Sequence, residues 1–242
     1  MFASSRKAPV LFGALLALAA ACSSGAPEEE AAPSAQGAGS ANDAAPAAAQ
    51  APVAEGKLVV AFGDSLFAGY RLERGEGFAP VLERQLRAGG VAATVFNAAV
   101  SGDTTQAGRQ RLAFTLDGLP RKPDLVIVGL GGNDMLRGLG PEATRANLDA
   151  ILTELRRRGI PAMLTGMVAA PNLGADYAAA FNPIYPELAD KFDVPLYPFF
   201  LDKVIGQGSL MQPDGLHPNA RGIEAIVPRV APLVTRALAA QD

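Results

Sequence analysis

The sequence predicts a three-layer α/β/α domain, and three observations predict it. Apolar runs of strand length alternate with helical segments from residue 57 to residue 242. The runs are apolar throughout, not at every second position, which is the pattern of strands buried on both faces. The stretch is long enough for one domain with its own core. Alternation of this kind builds a parallel sheet, here of five strands, with helices over both faces.

The elements follow in order. Lys57–Phe62, short and β-branched, predicts the first buried strand. Phe78–Ala88 has Val81, Leu82 and Leu86 at helical spacing and stops at Gly89-Gly90. Ala93–Ala98 predicts the second strand and Thr105–Leu116 a helix. Asp124–Leu130 (DLVIVGL) is the clearest buried strand. Pro141–Arg158 is a long amphipathic helix, with proline in its first turn and Leu148, Ile151, Leu152 and Leu155 on one face. Pro161–Gly166 predicts the fourth strand and Tyr177–Phe192 a helix bent by Pro183 and Pro186. Val194–Tyr197 predicts the fifth strand. Asn219–Ala240 predicts a closing helix that Pro228 and Pro232 threaten to interrupt.

In such sheets ligands bind beyond the carboxyl ends of the strands. The loops that matter are therefore Gly63–Tyr70, Ala99–Gly108, Gly131–Gly140, Met167–Asp176 and the segment before the last helix.

Residues 1–56 are of a different kind. Arg6 and Lys7 precede the apolar stretch Ala8–Ala21, which is shorter than the about 20 residues a bilayer span needs. Residues 1–21 read as an export signal. Cys22, the only cysteine, stands where a bacterial lipoprotein signal places its lipidated residue. The other reading is an ordinary Ala-x-Ala cleavage site with an incidental cysteine. With one cysteine, an internal disulfide is impossible. Residues 22–56 are rich in Ala, Pro, Ser and Gly, with no periodic apolar face, and are expected to be a disordered linker: a tether or a dispensable spacer.

Lys and Arg total 21 against 24 acids, a net charge of -3 that becomes about -5 without residues 1–21. This leaves no basic footprint for nucleic acid and no polybasic membrane patch. Tryptophan is absent, so base-stacking platforms are not expected. No Cys, His and carboxylate cluster has metal-ligand spacing, and Gly129-x-Gly131 continues to Asp134 where a dinucleotide fingerprint needs another glycine. No metal or organic cofactor is expected.

His217 is the chain's single histidine, in Asp214-Gly215-Leu216-His217-Pro218-Asn219. Any serine chemistry that needs an imidazole base must use it. Ser65 directly follows the first strand, in Gly63-Asp64-Ser65-Leu66, where a following helix start would favour developing negative charge. Alone, these four letters recur by chance in about one chain in two hundred at average residue usage. They also read as a simple helix cap. The Gly-x-Ser-x-Gly elbow is absent, since Phe67 occupies its last glycine. Asp214, three residues before His217, can hold one ring nitrogen while the other takes the Ser65 proton. Acyl transfer also needs donors for an oxyanion. Asn133 can offer its amide, Gly102 an unscreened backbone N–H, and Ser65 its own N–H; turn chemistry is the plainer reading of Gly102 and Asn133. Asp134 reads as a turn residue or a supporting partner, and Asp103, Thr104 and Thr105 as helix caps. Met135, Leu136, Leu139, Pro171 and Tyr177 read as an acyl groove or as ordinary core.

Taken in order, Gly63-Asp64-Ser65-Leu66, Gly102, Asn133 and Asp214-x-x-His217 resemble the SGNH (GDSL) hydrolases. The resemblance spans nearly all of Val59–Val234. Ala68-Gly69-Tyr70, Ser101-Gly102-Asp103-Thr104, Leu130-Gly131-Gly132-Asn133-Asp134 and Phe192-Asp193-Val194-Pro195-Leu196 are most similar to the branch of bacterial acyl-CoA thioesterase I, lysophospholipase L1 and arylesterase. It implies a flavodoxin-like fold and Ser65 as nucleophile. It further implies His217 as base, Asp214 as its orienting acid, and Ser65, Gly102 and Asn133 as oxyanion donors. The activity implied is hydrolysis of small-molecule acyl or aryl esters or thioesters through an acyl-enzyme, with carbohydrate O-deacetylation as the alternative. A monomer in the bacterial periplasm is expected, with Cys22 and the linker adding a lipid anchor as its one link to the membrane.

Overall fold

The computed structural model describes residues 56–240. The expectations for the signal, for Cys22 and for all but the last residue of the linker lie outside the described residues.

Five strands form one parallel sheet: β1 (Lys57–Gly63), β2 (Ala93–Asn97), β3 (Leu125–Gly129), β4 (Ala162–Thr165) and β5 (Leu196–Tyr197). Their order is β2-β1-β3-β4-β5, the flavodoxin-like arrangement. β1 lies between β2 and β3, with Ala61 opposite Asn97 on one side and Ile127 on the other. Leu58–Phe62 are fully buried, as are Leu125–Val128, because helices cover both faces. The sheet order is what brings the loops after β2, β1 and β3 side by side.

Among the described residues eight α-helices surround the sheet. α1 (Ser65–Ala68) is a single turn, α2 (Phe78–Ala88) follows, and α3 (Thr105–Asp117) follows β2. α4 (Gly132–Leu136) and α5 (Pro141–Arg157) follow β3, α6 (Ala175–Phe181) and α7 (Ile184–Phe192) follow β4, and α8 (Ala220–Ala239) closes the domain. α2 packs with α8, while α3, α5 and α7 pack in series. The predicted face of α5 is the buried one: Leu148, Ile151, Leu152 and Leu155 are all within the core.

Four expectations change in detail. The helix over Tyr177–Phe192 is two helices, parted at Asn182 and Pro183. Proline offers no N–H for a continuing ladder, and the Asn182 side chain instead accepts the Ala169 N–H at 2.8 Å. β5 contains two residues instead of four, because Pro195 has no N–H to pair and contributes only its carbonyl to Leu164. α4 occupies part of the stretch read as loop. α8 runs unbroken through Pro228 and Pro232. Both prolines and the residues four before them lie on the exposed face, so water can satisfy the carbonyls they leave unpaired.

Ile127 stands at the centre of the middle strand with no solvent exposure. Ile127→Ala is expected to lower the unfolding free energy by about 2–5 kcal/mol. Denaturant titration checks this as a fall in midpoint at unchanged slope.

Candidate active site

Each side chain of the site is placed by a local rule. β1 ends at Gly63, where a Cβ would meet the Gly129 carbonyl at 2.6 Å, so only glycine lets β1 and β3 stay paired to their ends. The chain then turns at Asp64, whose carboxylate caps α1 by accepting the Leu66 N–H at 3.0 Å. Ser65 is the first residue of that turn of helix. With only four residues, α1 carries little macrodipole, so individual N–H groups matter more than the helix as a whole.

His217 arrives from the other end of the chain in a tight loop. Met211 and Pro218 form an isolated antiparallel bridge, and the Gln212 N–H donates to the His217 carbonyl at 2.7 Å. Gln212 Nε2 donates across the site to the Tyr70 carbonyl at 2.8 Å and to Pro218 at 3.0 Å. Asn219 then caps α8 through the Gly222 N–H at 3.0 Å. The loop is thereby tied to the Ser65–Tyr70 segment and to α8. Tyr70 adds a ring contact with His217, 4.7 Å between centroids.

Ser65 Oγ lies 2.8 Å from His217 Nε2, and His217 Nδ1 lies 2.8 Å from Asp214 Oδ2. Asp214 Oδ1 also accepts the backbone N–H groups of Leu216 and His217, at 2.9 and 3.0 Å. Burial works against its ionisation, but the His217 and Leu216 N–H groups and the imidazole prevail and lower its pKa from 3.8 to about 2. An ionised carboxylate only accepts hydrogen bonds, so Nδ1 carries the ring proton. In the neutral ring Nε2 is then an acceptor aimed at the serine hydroxyl. This arrangement can withdraw a proton from Ser65 and return it to a leaving group.

The donor candidates sit on the loops flanking Ser65. Gly102 has a φ of 86°, the left-handed region that glycine tolerates, and its carbonyl accepts from Arg137 Nη2 at 2.8 Å. Asn133 lies in α4, where its Nδ2 donates to the Asp103 carbonyl at 3.0 Å and reaches Asp64 Oδ2 at 3.4 Å. Both neighbouring loops are thus bonded into one frame with the serine loop.

Three acids support the frame. Asp134, 1% exposed, accepts the Thr105 N–H at 2.8 Å, the Thr105 hydroxyl at 2.5 Å and the Thr144 hydroxyl at 3.4 Å. It is a brace between α3 and α4, not a mere turn residue. Asp103 pairs with Arg111 at 2.6 Å, while Thr104 caps α3 as expected. Asp64 is 3% exposed; burial pushes its carboxyl up to about 7, Asp103 and Asp134 push the same way, and the Leu66 N–H and Asn133 amide resist. Gln212 and Arg111 carry no local sequence signal, since each becomes a connector only through partners distant in sequence. Of the proposed groove residues, Met135 is buried, while Leu136 and Leu139 are exposed. Among the described residues no group of three or more His, Cys, Asp or Glu is placed to hold a metal ion.

A broad hollow at the amino ends of β3 and β4 is lined by Leu125, Arg156, Pro161 and Phe192, far from the sole imidazole, so it cannot host the same chemistry.

Comparison with known proteins gives the chain's family. Residues 61–225 match the GDSL-like Lipase/Acylhydrolase family. The chain is 39% identical over 166 residues to Thioesterase 1/protease 1/lysophospholipase L1 of Escherichia coli strain K12, covering 69% of this chain and 77% of that one. It is 37% identical over 185 residues to Esterase TesA of Pseudomonas aeruginosa, covering 75% and 91%. Among solved structures it resembles AlinE4, an SGNH-hydrolase family esterase, with a TM-score of 0.65 and 54% identity over 76% of this chain and 98% of that one.

The raised pKa of Asp64 has a consequence for stability. Between about pH 4 and pH 7 the folded protein holds a proton that the unfolded chain has released, so stability falls as pH rises through that window and levels off above it. Asp64→Asn, which cannot ionise, is expected to flatten that fall, which is on the order of a few kcal/mol. Denaturant midpoints of both proteins at pH 4.5 and 8 measure it; parallel curves would contradict the assignment.

Proposed function

The chain belongs to the GDSL-like Lipase/Acylhydrolase family, the serine ester hydrolases, and from that premise we propose that Ser65 is its nucleophile, His217 its base and Asp214 the acid that orients the imidazole. The observation that carries this reading is the unbroken hydrogen-bonded path from Ser65 Oγ through the ring to Asp214.

In the first half of the reaction Ser65 Oγ attacks the ester carbonyl carbon as its proton passes to His217 Nε2. The carbonyl π electrons move to oxygen, and the N–H groups of Ser65 and Gly102 and the Asn133 amide donate hydrogen bonds to the oxyanion so formed. Asn133 turns its weaker contact, the 3.4 Å one to Asp64, toward the oxyanion. The tetrahedral species collapses, the C–O or C–S bond breaks, and the imidazolium protonates the leaving group. Water then repeats the sequence on the acyl-enzyme and releases the acid.

The substrates are carboxylic esters and thioesters: aryl or acyl esters, acyl-CoA and lysophospholipid. The names of the relatives point there, and to no acetylated carbohydrate. The surface agrees. Val100, Leu136, Leu139, Val168 and Leu216 are five of the seven large apolar side chains left exposed among the described residues. All five stand in segments that follow strand ends, Leu136 at the end of α4, or in the loop that carries His217. Exposed apolar groups on the segments beyond the strand ends favour acyl and aryl groups over sugars. Selectivity for chain length is expected to be shallow, because one methylene is worth only about 1–3 kcal/mol.

The site is complete within one chain, which supports action as a monomer. Arg6, Lys7, the apolar stretch to Ala21 and Cys22 support export to the bacterial periplasm with a lipid anchor at Cys22.

Two outcomes test these assignments. Ser65→Ala and His217→Ala are each expected to lower kcat on p-nitrophenyl acyl esters by at least about 10³-fold, and by similar factors, because such residues act as a unit. Turnover that survives Ser65→Ala refutes the nucleophile. Cys22→Ser is expected to move the protein from the membrane fraction to the soluble fraction, with intact mass showing the loss of acyl groups. An unmodified Cys22 in wild type refutes the anchor.

A further inference from the structure

Arg111 lies on α3, yet its guanidinium joins three segments of the site. Nε donates to Asp103 Oδ2 at 2.6 Å, Nη1 to the Ala98 carbonyl at 2.7 Å and Nη2 to the Gly63 carbonyl at 3.1 Å. A weaker contact runs from Nη1 to Thr115 Oγ1 at 3.5 Å, and the guanidinium lies over the Phe62 ring, 4.1 Å from its centroid.

These acceptors define three donors of the proposed reaction. Gly63 lies two residues before Ser65. Ala98 ends the pairing of β2 with β1, donating its N–H to Ala61, and opens the loop that carries Gly102. Asp103 directly follows Gly102, and its carbonyl accepts Asn133 Nδ2. The Gly63 carbonyl is shared with the Val100 N–H at 3.0 Å, so the guanidinium closes a frame the backbone has begun. One rigid cation thus addresses the serine loop, the Gly102 loop and, through Asp103, the Asn133 amide.

We propose that Arg111 is a positioning residue for oxyanion stabilisation, holding the Ser65, Gly102 and Asn133 donors in mutual register without touching substrate; the inference rests on the serine-hydrolase reading above. The residue type fits the task. A planar fork with fixed N–H directions meets three acceptors on different sides, and a lysine ammonium cannot reproduce that set. Register is catalytic here because donors must meet the oxyanion in the transition state, where a displacement of about 1 Å costs about 10²-fold. Ground-state binding is much less sensitive to it, so the loss falls on kcat.

The test uses the full chain with Arg111→Lys and Arg111→Ala. Folded, competent sites are counted by end-point labelling with a fluorophosphonate, and kcat and KM are measured per labelled site on a p-nitrophenyl ester. The expected result is a kcat per site about 10–100-fold below wild type with KM within about threefold. Partial recovery of the alanine variant by added guanidinium ion is also expected. A purely structural role predicts fewer labelled sites or a lower melting temperature with kcat per site unchanged, and that result overturns the proposal. If the alanine variant does not fold, the lysine variant, which keeps the charge and the stem, decides alone. Absence of labelling in wild type would count against Ser65 itself, and so separates that failure from failure of the Arg111 assignment.

Discussion

A serine hydroxyl passes its proton to an imidazole only across hydrogen-bonding distance, and here the two groups come from positions 152 residues apart. The contact between Ser65 and His217 therefore constrains everything between them. The sheet must be parallel, so that β1, β2 and β3 end on one side. The order must place β1 between the strands that carry Gly102 and Asn133. The last helix must return so that its preceding loop overhangs the first. Gln212 and Asn219 meet that final requirement by tying the His217 loop to Tyr70 on one side and to α8 on the other.

Electrostatics at the site divide between two aspartates of identical chemistry. Asp214 stands at the rim, with two backbone N–H groups and an imidazole as partners, and is charged well into acid. Asp64 is enclosed, faces two other acids and shares its proton with the solvent only near neutrality. The first can stabilise a positive imidazole. The second shapes the turn that presents Ser65 and gives Asn133 a partner it can release. A carboxylate favoured by its partners and one disfavoured by burial thus lie in one site, the second partly offset by the Leu66 N–H and the Asn133 amide.

Much of this was legible from residue order. The five apolar runs give the sheet because unbroken apolarity has no other economical burial. Ser65, His217 and Asp214 stand out because there is one imidazole and one acid three residues from it. The departures were local. Pro183 parts a helix that periodicity shows as continuous, while Pro228 and Pro232 leave α8 intact. Both freed positions, Ala179 before Pro183 and Glu224 before Pro228, are exposed, so periodicity and local exposure alike leave these outcomes unseparated. Asp134 stayed open between a turn residue and a supporting partner because its partners, Thr105 and Thr144, lie on other elements. Nothing in the local sequence sets Arg111 apart from other helix-surface cations.

By itself, then, the order of residues determined the layers, the candidate reacting groups and the loops that carry them, since burial pattern and chemical type are properties of neighbouring positions. Tertiary structure alone decided the supporting contacts. Arg111 on Gly63, Ala98 and Asp103, Gln212 on Tyr70, and the opposite shifts of the Asp64 and Asp214 carboxyls each depend on which groups folding brings together. A pairwise contact between remote positions leaves no mark on either local sequence, and a carboxyl group's charge is set by the surroundings that folding assembles around it.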